Sequence, residues 1–146
     1  MDFTLRDCLM SDAKFILKLK ELGMKWYIEK LYGWNVDIQM EKTIAELNEN
    51  LNNMKIIVAE GKDIGVTTFT EYDNYFQVGL IVIHPDFQNK GIASQIIKNY
   101  IEIAKNKRKR IIIKTFKENP AQNLYKRLGF QVYETDNTHL HLEINF

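Results

Sequence analysis

Two stretches of this chain place chemically capable residues at useful spacings. The first is Ile83-His84-Pro85-Asp86-Phe87-Gln88-Asn89-Lys90-Gly91-Ile92-Ala93-Ser94. An apolar strand runs into a polar loop, and the loop opens a helix on small residues. Unpaired N–H groups and the positive dipole end at such a helix start suit a phosphate or pyrophosphate. Gly91 and Ala93 would let a ligand approach the backbone, and Lys90 adds charge. A plain turn and cap uses the same residue types, so the loop alone leaves both readings open. A nucleotide loop of the Walker type is absent, because Lys90 precedes its glycine, and no Gly-x-Gly-x-x-Gly occurs.

The second stretch is Asn119-Pro120-Ala121-Gln122-Asn123-Leu124-Tyr125-Lys126-Arg127-Leu128-Gly129-Phe130. Much of it reads as helix punctuation. Asn119 is a good N-cap, Pro120 suits the first helical position, and Gly129 suits the residue after the end. Leu124 and Leu128 are expected to form one buried ridge. Tyr125 calls for more, since a buried phenol needs a polar partner for its hydroxyl.

The elements that must hold these stretches follow from periodicity. Phe3 and Leu5 alternate with polar residues as a first strand. Ser11 and Asp12 can cap a helix with Phe15, Leu19 and Leu22 on its apolar face, ending near Gly23. An aromatic segment with Trp26, Tyr27, Tyr32 and Trp34 follows, and then Ile44, Leu47 and Leu51 recur at helical spacing. Ile56–Val58, Ile64–Thr70 and Tyr75–Ile83 read as a three-strand meander that Pro85 stops. Ile92, Ile96, Ile97, Ile101 and Ala104 mark a long helix. Ile111, Ile112 and Ile113 in succession fit a strand covered on both faces. The helix at Asn119–Leu128 leads to strands at Phe130–Tyr133 and Leu140–Ile144. The predicted order is β-α-α-β-β-β-α-β-α-β-β, a mixed α/β class with a central sheet flanked by helices.

With 146 residues, 45% of them hydrophobic, the chain is expected to form a single domain over 1–146. A net charge of +1 advertises neither a nucleic-acid nor a membrane partner. The lone Cys8 fits a reducing cytoplasm. The first residues do not read as a signal peptide, and no apolar run approaches the roughly 20 residues of a membrane helix.

Together the two stretches resemble the GNAT family of N-acetyltransferases. Its loop pattern, Gln/Arg-x-x-Gly-x-Gly/Ala, matches Gln88 to Ala93. A second signature, Asn-Pro-Ala-x-x-Leu-Tyr-x-x-x-Gly-Phe, matches Asn119 to Phe130 at every fixed position. The resemblance covers Met54 to Phe146, with Gly33-Trp34 the main echo before it. It implies an enzyme that moves acetyl from acetyl-CoA to a primary amine, on a small molecule or a peptide, as a monomer or homodimer. By the same resemblance, backbone groups of Ile81, Val82 and Ile83 would pair with the pantetheine arm. The N–H groups of Gln88, Asn89, Lys90, Gly91, Ile92, Ala93 and Ser94 would hold the pyrophosphate. Asn119 would bond the cofactor, and Tyr125 would act as general acid towards the departing thiolate. Direct attack needs no nucleophilic side chain.

One departure matters. Related members carry a glutamate five positions before the proline, and here that position is Leu80. Without a base, the rate is expected to follow the acceptor's own pKa; otherwise Glu71, Asp73 or His139 would supply one. Candidate acceptor contacts are Trp26, Tyr27 and Trp34, with Glu71 for a cationic acceptor and His139. His139 and His141 share a strand face, but no accompanying motif supports a metal. The basic run Lys105–Arg110 reads as a solvated helix end. Two alternatives to the enzyme are a CoA-binding sensor without turnover and an RNA-binding accessory protein using that run.

Overall fold

A computed structural model describes residues 1–146. The elements are β1 (Thr4–Asp7), α1 (Ala13–Gly23), α2 (Lys25–Tyr32), α3 (Val36–Asn50), β2 (Met54–Ala59), β3 (Lys62–Glu71) and β4 (Tyr75–Ile83). There follow α4 (Ile92–Asn106), β5 (Arg110–Phe116), α5 (Ala121–Arg127), β6 (Gln131–Thr135) and β7 (His139–Ile144). The strands form a seven-stranded sheet in the order β1-β2-β3-β4-β5-β7-β6. The β4–β5 pair is parallel, and the β1–β2, β2–β3, β5–β7 and β6–β7 pairs are antiparallel. This is the expected mixed α/β class.

Three helices, not two, precede β2. The aromatic segment is a helix of its own because the chain breaks at Met24. The Met24 N–H closes α1 on the Lys20 carbonyl at 2.7 Å, and the Met24 carbonyl then accepts from Tyr27 and Ile28 to start α2. Asn35 caps α3 through its side-chain oxygen, which accepts from Ile38 N–H at 3.0 Å. At α1 the expected cap takes another form. Asp12 precedes the helix, but its carboxylate accepts from Leu9 N–H and from Arg6 instead of from α1.

The chain forms two compact units, Met1–Thr68 with Leu80–Ile92, and Phe69–Gly79 with Ala93–Phe146. The first is built on Cys8, Ile16, Leu19, Leu47, Met54, Ile56 and Val66, with Leu80 and Val82 packed against them. Its helix faces differ from the periodicity reading. In α1 the buried residues are Ile16, Leu19 and Lys20, while Leu22 is exposed; in α3 they are Gln39, Thr43 and Leu47, while Ile44 is exposed. The reason is a buried polar contact. Lys20 Nζ donates to Thr43 Oγ1 at 3.1 Å and to Glu46 Oε1 at 2.8 Å, and Thr43 Oγ1 donates to the Gln39 carbonyl. The apolar lysine stem serves the core while its ammonium finds acceptors. Arg6 adds a second tie, reaching both Asp12 and Asp63. Where β2 meets β3, Ile57 pairs with Gly65 and the register then shifts to Val58 with Asp63. A Cβ at Gly65 would lie 2.6 Å from the Val82 carbonyl oxygen, so that site requires a residue without a side chain.

In the second unit, Ile96, Ile97 and Ala104 of α4 are buried as the spacing predicts, and Tyr100 completes the face. Phe69 stacks between Phe76 at 4.8 Å and Tyr100 at 4.0 Å. The expected ridge on α5 is replaced by Tyr125 in the helix and Phe130 beyond its end. Tyr125 and Phe130 are buried, whereas Leu124 and Leu128 are half-buried.

Candidate active site

β4 delivers the chain into the first candidate segment. Its parallel ladder to β5 covers Tyr75–Val78, and the strand runs on past it to Ile83. A single 3-10 turn, Pro85–Phe87, then re-aims the backbone, capped by His84 Nδ1, which accepts from Asp86 N–H at 3.1 Å. Gln88 folds back and donates to the Ile83 carbonyl at 2.9 Å, tying the loop to the strand end. Asn89 and Gly91 both take left-handed backbone, at φ 60° and 82°. Alternation of this kind turns successive N–H groups to one side, the arrangement of an anion-binding nest. No protein group accepts from the N–H groups of Asn89, Lys90 or Gly91. The space where a Gly91 side chain would stand is open to beyond 4 Å. Next, α4 begins at Ile92 and runs for 15 residues, so its first N–H groups and dipole join the same segment.

The second segment starts at the end of β5. Asn119 N–H donates to the Phe116 carbonyl, and Asn119 Oδ1 accepts from Ala121 N–H at 2.9 Å. The capping role read from sequence is thus filled, and it leaves the amide NH₂ of Asn119 for a ligand. One turn into α5, the ring of Tyr125 is 6% exposed and meets Phe130 edge-on at 6.1 Å. Its hydroxyl bonds to no protein group, yet it is not among the enclosed, unpartnered polar atoms. The exposed remainder of this side chain therefore includes the hydroxyl. Burial pushes the phenol up to about 12, so it stays protonated at neutral pH.

Other expected contacts fall out differently. Leu80 packs against the core of the first unit. Trp26 is 61% exposed, with its ring edge-on to Tyr27 and Lys30 Nζ 5.0 Å from its centre, and Trp34 is half-buried under Lys25. Trp26 is thus a surface residue, and Tyr27 and Trp34 are half-buried. Glu71 is held by Lys107 at 2.8 Å and Lys109 at 2.8 Å, which keep its carboxyl below the ordinary range. Its charge is matched locally, and it is a poor candidate for attracting a cationic acceptor. The same contacts re-read the basic run. Lys107 and Lys109 also lie over the Phe76 ring, while Arg110 stacks on Tyr75 and Tyr133. Half of this run anchors the β3–β4 turn instead of standing free in solvent.

A network at the β6–β7 turn was not visible as such in the sequence. Asp136 Oδ1 accepts from the Thr138 N–H at 2.8 Å and the His139 N–H at 2.7 Å, and lies 3.1 Å from Thr138 Oγ1. Asp136 Oδ2 accepts from His141 Nε2 at 2.7 Å, and Thr138 Oγ1 is 2.7 Å from His139 Nδ1. The sequence signal was the pair His139 and His141; the turn aspartate that organises them went unread. No group of three or more His, Cys, Asp or Glu side chains is arranged to hold a metal ion.

The family described as acetyltransferase (GNAT) domain matches residues 52–132. A stretch of 75 residues is 32% identical to the UPF0157 protein YqkA of Bacillus subtilis, covering 51% of this chain and 22% of that protein. The chain thus spans about a fifth of that relative. Among solved structures, the PaiA N-acetyltransferase of Thermoplasma acidophilum in complex with coenzyme A superposes over 100% of both chains, at TM-score 0.77 and 18% identity. PH1933 of Pyrococcus horikoshii OT3 does so over 99% of both, at TM-score 0.81 and 13% identity.

Proposed function

Because this chain belongs to the acetyltransferase (GNAT) family, we propose that it moves acetyl from acetyl-CoA to a primary amine by direct attack on the thioester. The reading assigns the whole of 1–146 to one catalytic domain working in the cytoplasm. The observation that carries it is the loop at Asn89–Gly91, whose left-handed residues present N–H groups that the protein itself leaves unused. These groups and the start of α4 would hold the pyrophosphate, with Lys90 adding charge. Beyond its ladder to β5, β4 would offer backbone groups of Ile81–Ile83 to the pantetheine arm as an added strand. The amide of Asn119 would bond the same arm. Trp26, Tyr27 and Trp34 would meet the acceptor.

The amine nitrogen attacks the thioester carbonyl carbon, the C–N bond forms, and the C–S bond breaks with its electron pair on sulfur. Tyr125 would face that sulfur. A thiol ionises near ~8.5, so full proton transfer from a phenol at about 12 runs uphill by roughly 3.5 units, or about 5 kcal/mol. The role this supports is a hydrogen bond donated to the developing thiolate, with Tyr125 keeping its own proton. Tyr125→Phe is therefore expected to lower kcat by about tenfold or less, below the usual range for a general acid, since a thiolate leaves readily. Acetyl-CoA affinity and thermal stability should hardly change, because the lost hydroxyl has no protein partner. An unchanged kcat with a slow acceptor would make Tyr125 a packing residue only.

Continuous thiol detection with acetyl-CoA and a panel of alkylamines and peptide amines tests the function. Amine-dependent thiol release above the rate without protein supports it. Acetyl-CoA binding without such release in any case overturns it in favour of a sensor.

A further inference from the structure

We propose that His139 is the base that removes the acceptor's proton, held by Thr138 and Asp136 in the tautomer that leaves its Nε2 free. This rests on the acetyl-transfer reading above and supplies the group that Leu80 does not.

The tautomer follows from counting donors. Thr138 Oγ1 has one hydrogen and two close neighbours, Asp136 Oδ1 at 3.1 Å and His139 Nδ1 at 2.7 Å. A carboxylate can only accept, so the hydroxyl hydrogen goes to Asp136, and Nδ1 must carry its own hydrogen to satisfy the second contact. The chain is therefore Nδ1–H to Thr138 oxygen, and Thr138 O–H to Asp136. His141 Nε2 donates to the other oxygen of the same carboxylate at 2.7 Å. With Nδ1 protonated, the lone pair of neutral His139 sits on Nε2. That atom has no protein partner and is not enclosed. A base oriented by a fixed second group is the arrangement that general-base catalysis needs.

Position supports the same role. His139 is the first residue of β7 and pairs with Phe116, the last residue of β5, with ring centres 4.5 Å apart. The Phe116 carbonyl accepts from Asn119 N–H, and Lys117 N–H donates to the Thr138 carbonyl at 3.1 Å. The turn that carries His139 is thus bonded to the turn that opens α5, the helix of Tyr125. All of these residues lie in the second unit.

The surroundings favour a neutral ring. Burial lowers its pKa first, Lys114 of β5 and His141 of β7 act in the same direction, and Asp136 opposes them. Lys117 and Glu118 of the β5–α5 turn are exposed to solvent. The imidazole is then unprotonated at neutral pH and ready to accept.

The acceptor enters as R–NH₃⁺ and gives one proton to His139 Nε2 as its nitrogen attacks, because a separate transfer from ~10.4 to below ~6.5 would run uphill by about 4 units. The freed lone pair attacks the carbonyl carbon, and collapse of the intermediate breaks the C–S bond. The second nitrogen proton is lost as the amide forms and ends on the coenzyme sulfur, while the first leaves His139 to water.

The test is a kcat/KM profile from pH 5 to 10 with two acceptors, a lysine side-chain amine near ~10.4 and a peptide α-amine near ~8. The wild-type protein is expected to show a rising limb with its inflection below ~6.5 and at the same pH for both acceptors, and a fall at high pH that follows each acceptor as its ammonium form is lost. A rising limb whose inflection follows the acceptor overturns the inference without any variant being made. His139→Asn keeps a donor towards Thr138 and removes the base. It should lower kcat/KM at pH 7.5 at least tenfold and make the rising limb follow each acceptor, with acetyl-CoA affinity unchanged by calorimetry. A variant profile identical to wild type overturns the inference alone. A wild-type protein that turns over neither amine overturns the acetyl-transfer reading and this inference together.

Discussion

Gly91→Glu is expected to weaken acetyl-CoA binding by tenfold or more while the protein still folds. A tenfold loss is about 1.4 kcal/mol, less than the repulsion available when a carboxylate is placed among groups that hold a pyrophosphate. The structure separates the two costs of this substitution. Apart from its chain neighbours nothing lies within 4 Å of the position a Cβ would take, so the added Cβ itself meets no clash. What remains is the backbone, at φ +82°, where an L-residue costs about 1–2 kcal/mol. For a protein of this size that corresponds to a fall of several degrees in Tm. Gly91→Ala shares the backbone cost and lacks the charge, so it should lose stability to the same degree but much less affinity. Calorimetric titration with acetyl-CoA, run on both variants, distinguishes charge from strain. Equal affinity in wild type and Gly91→Glu would remove this loop from the binding site.

Gly65→Ala is expected to cost about 3 kcal/mol, the upper part of the range for overpacked interiors. One methyl group does this because of what surrounds it. The added Cβ would stand 2.6 Å from the Val82 carbonyl oxygen and 2.9 Å from Ile57 Cδ1, with the Ile83 Cα at 3.4 Å. The leucine-like flexibility that relieves many clashes is missing, since two of the three neighbours are backbone. Relief requires β4 to move at Val82 and Ile83, the residues proposed to receive the pantetheine arm. The variant should therefore lower Tm by roughly 6–12 °C and also raise the KM for acetyl-CoA. Differential scanning calorimetry that finds Tm within a degree of wild type would show that the strands can separate cheaply here. Conversely, a lower Tm with unaltered KM would detach this part of β4 from the donor site.

Much of the site was legible because its signals are local. A loop that opens on Gln88, turns at Gly91 and leads into Ile92 announces a helix start from a handful of neighbours. Asn119, Pro120 and Gly129 likewise mark the ends of α5 by cap chemistry that acts within one turn. Left-handed Gly91 is required by the turn itself. The break at Met24 was less legible. No proline or strong cap marks it, and of the aromatic residues of α2 Trp26 and Tyr32 face water while Tyr27 is half-buried.

The remaining features depend on partners far along the chain. Lys20 reads as a solvent-facing residue until α3 brings Thr43, 23 positions away, against its ammonium. That contact rotates the buried faces of α1 and α3 away from Leu22 and Ile44, which hydrophobicity alone would have placed inside. Glu71 looks like a free carboxylate until the chain returns Lys107 and Lys109 to it. Gly65 has no turn to make, and only the close approach of Val82 explains it. The sequence by itself determined the motifs, the order of most elements and the family they point to, since caps, turns and periodicity are set by neighbouring residues. Tertiary structure alone decided which polar groups are already satisfied, and so which remain for a ligand. A hydrogen bond is made by whatever the fold brings within about 3 Å, at any separation along the chain.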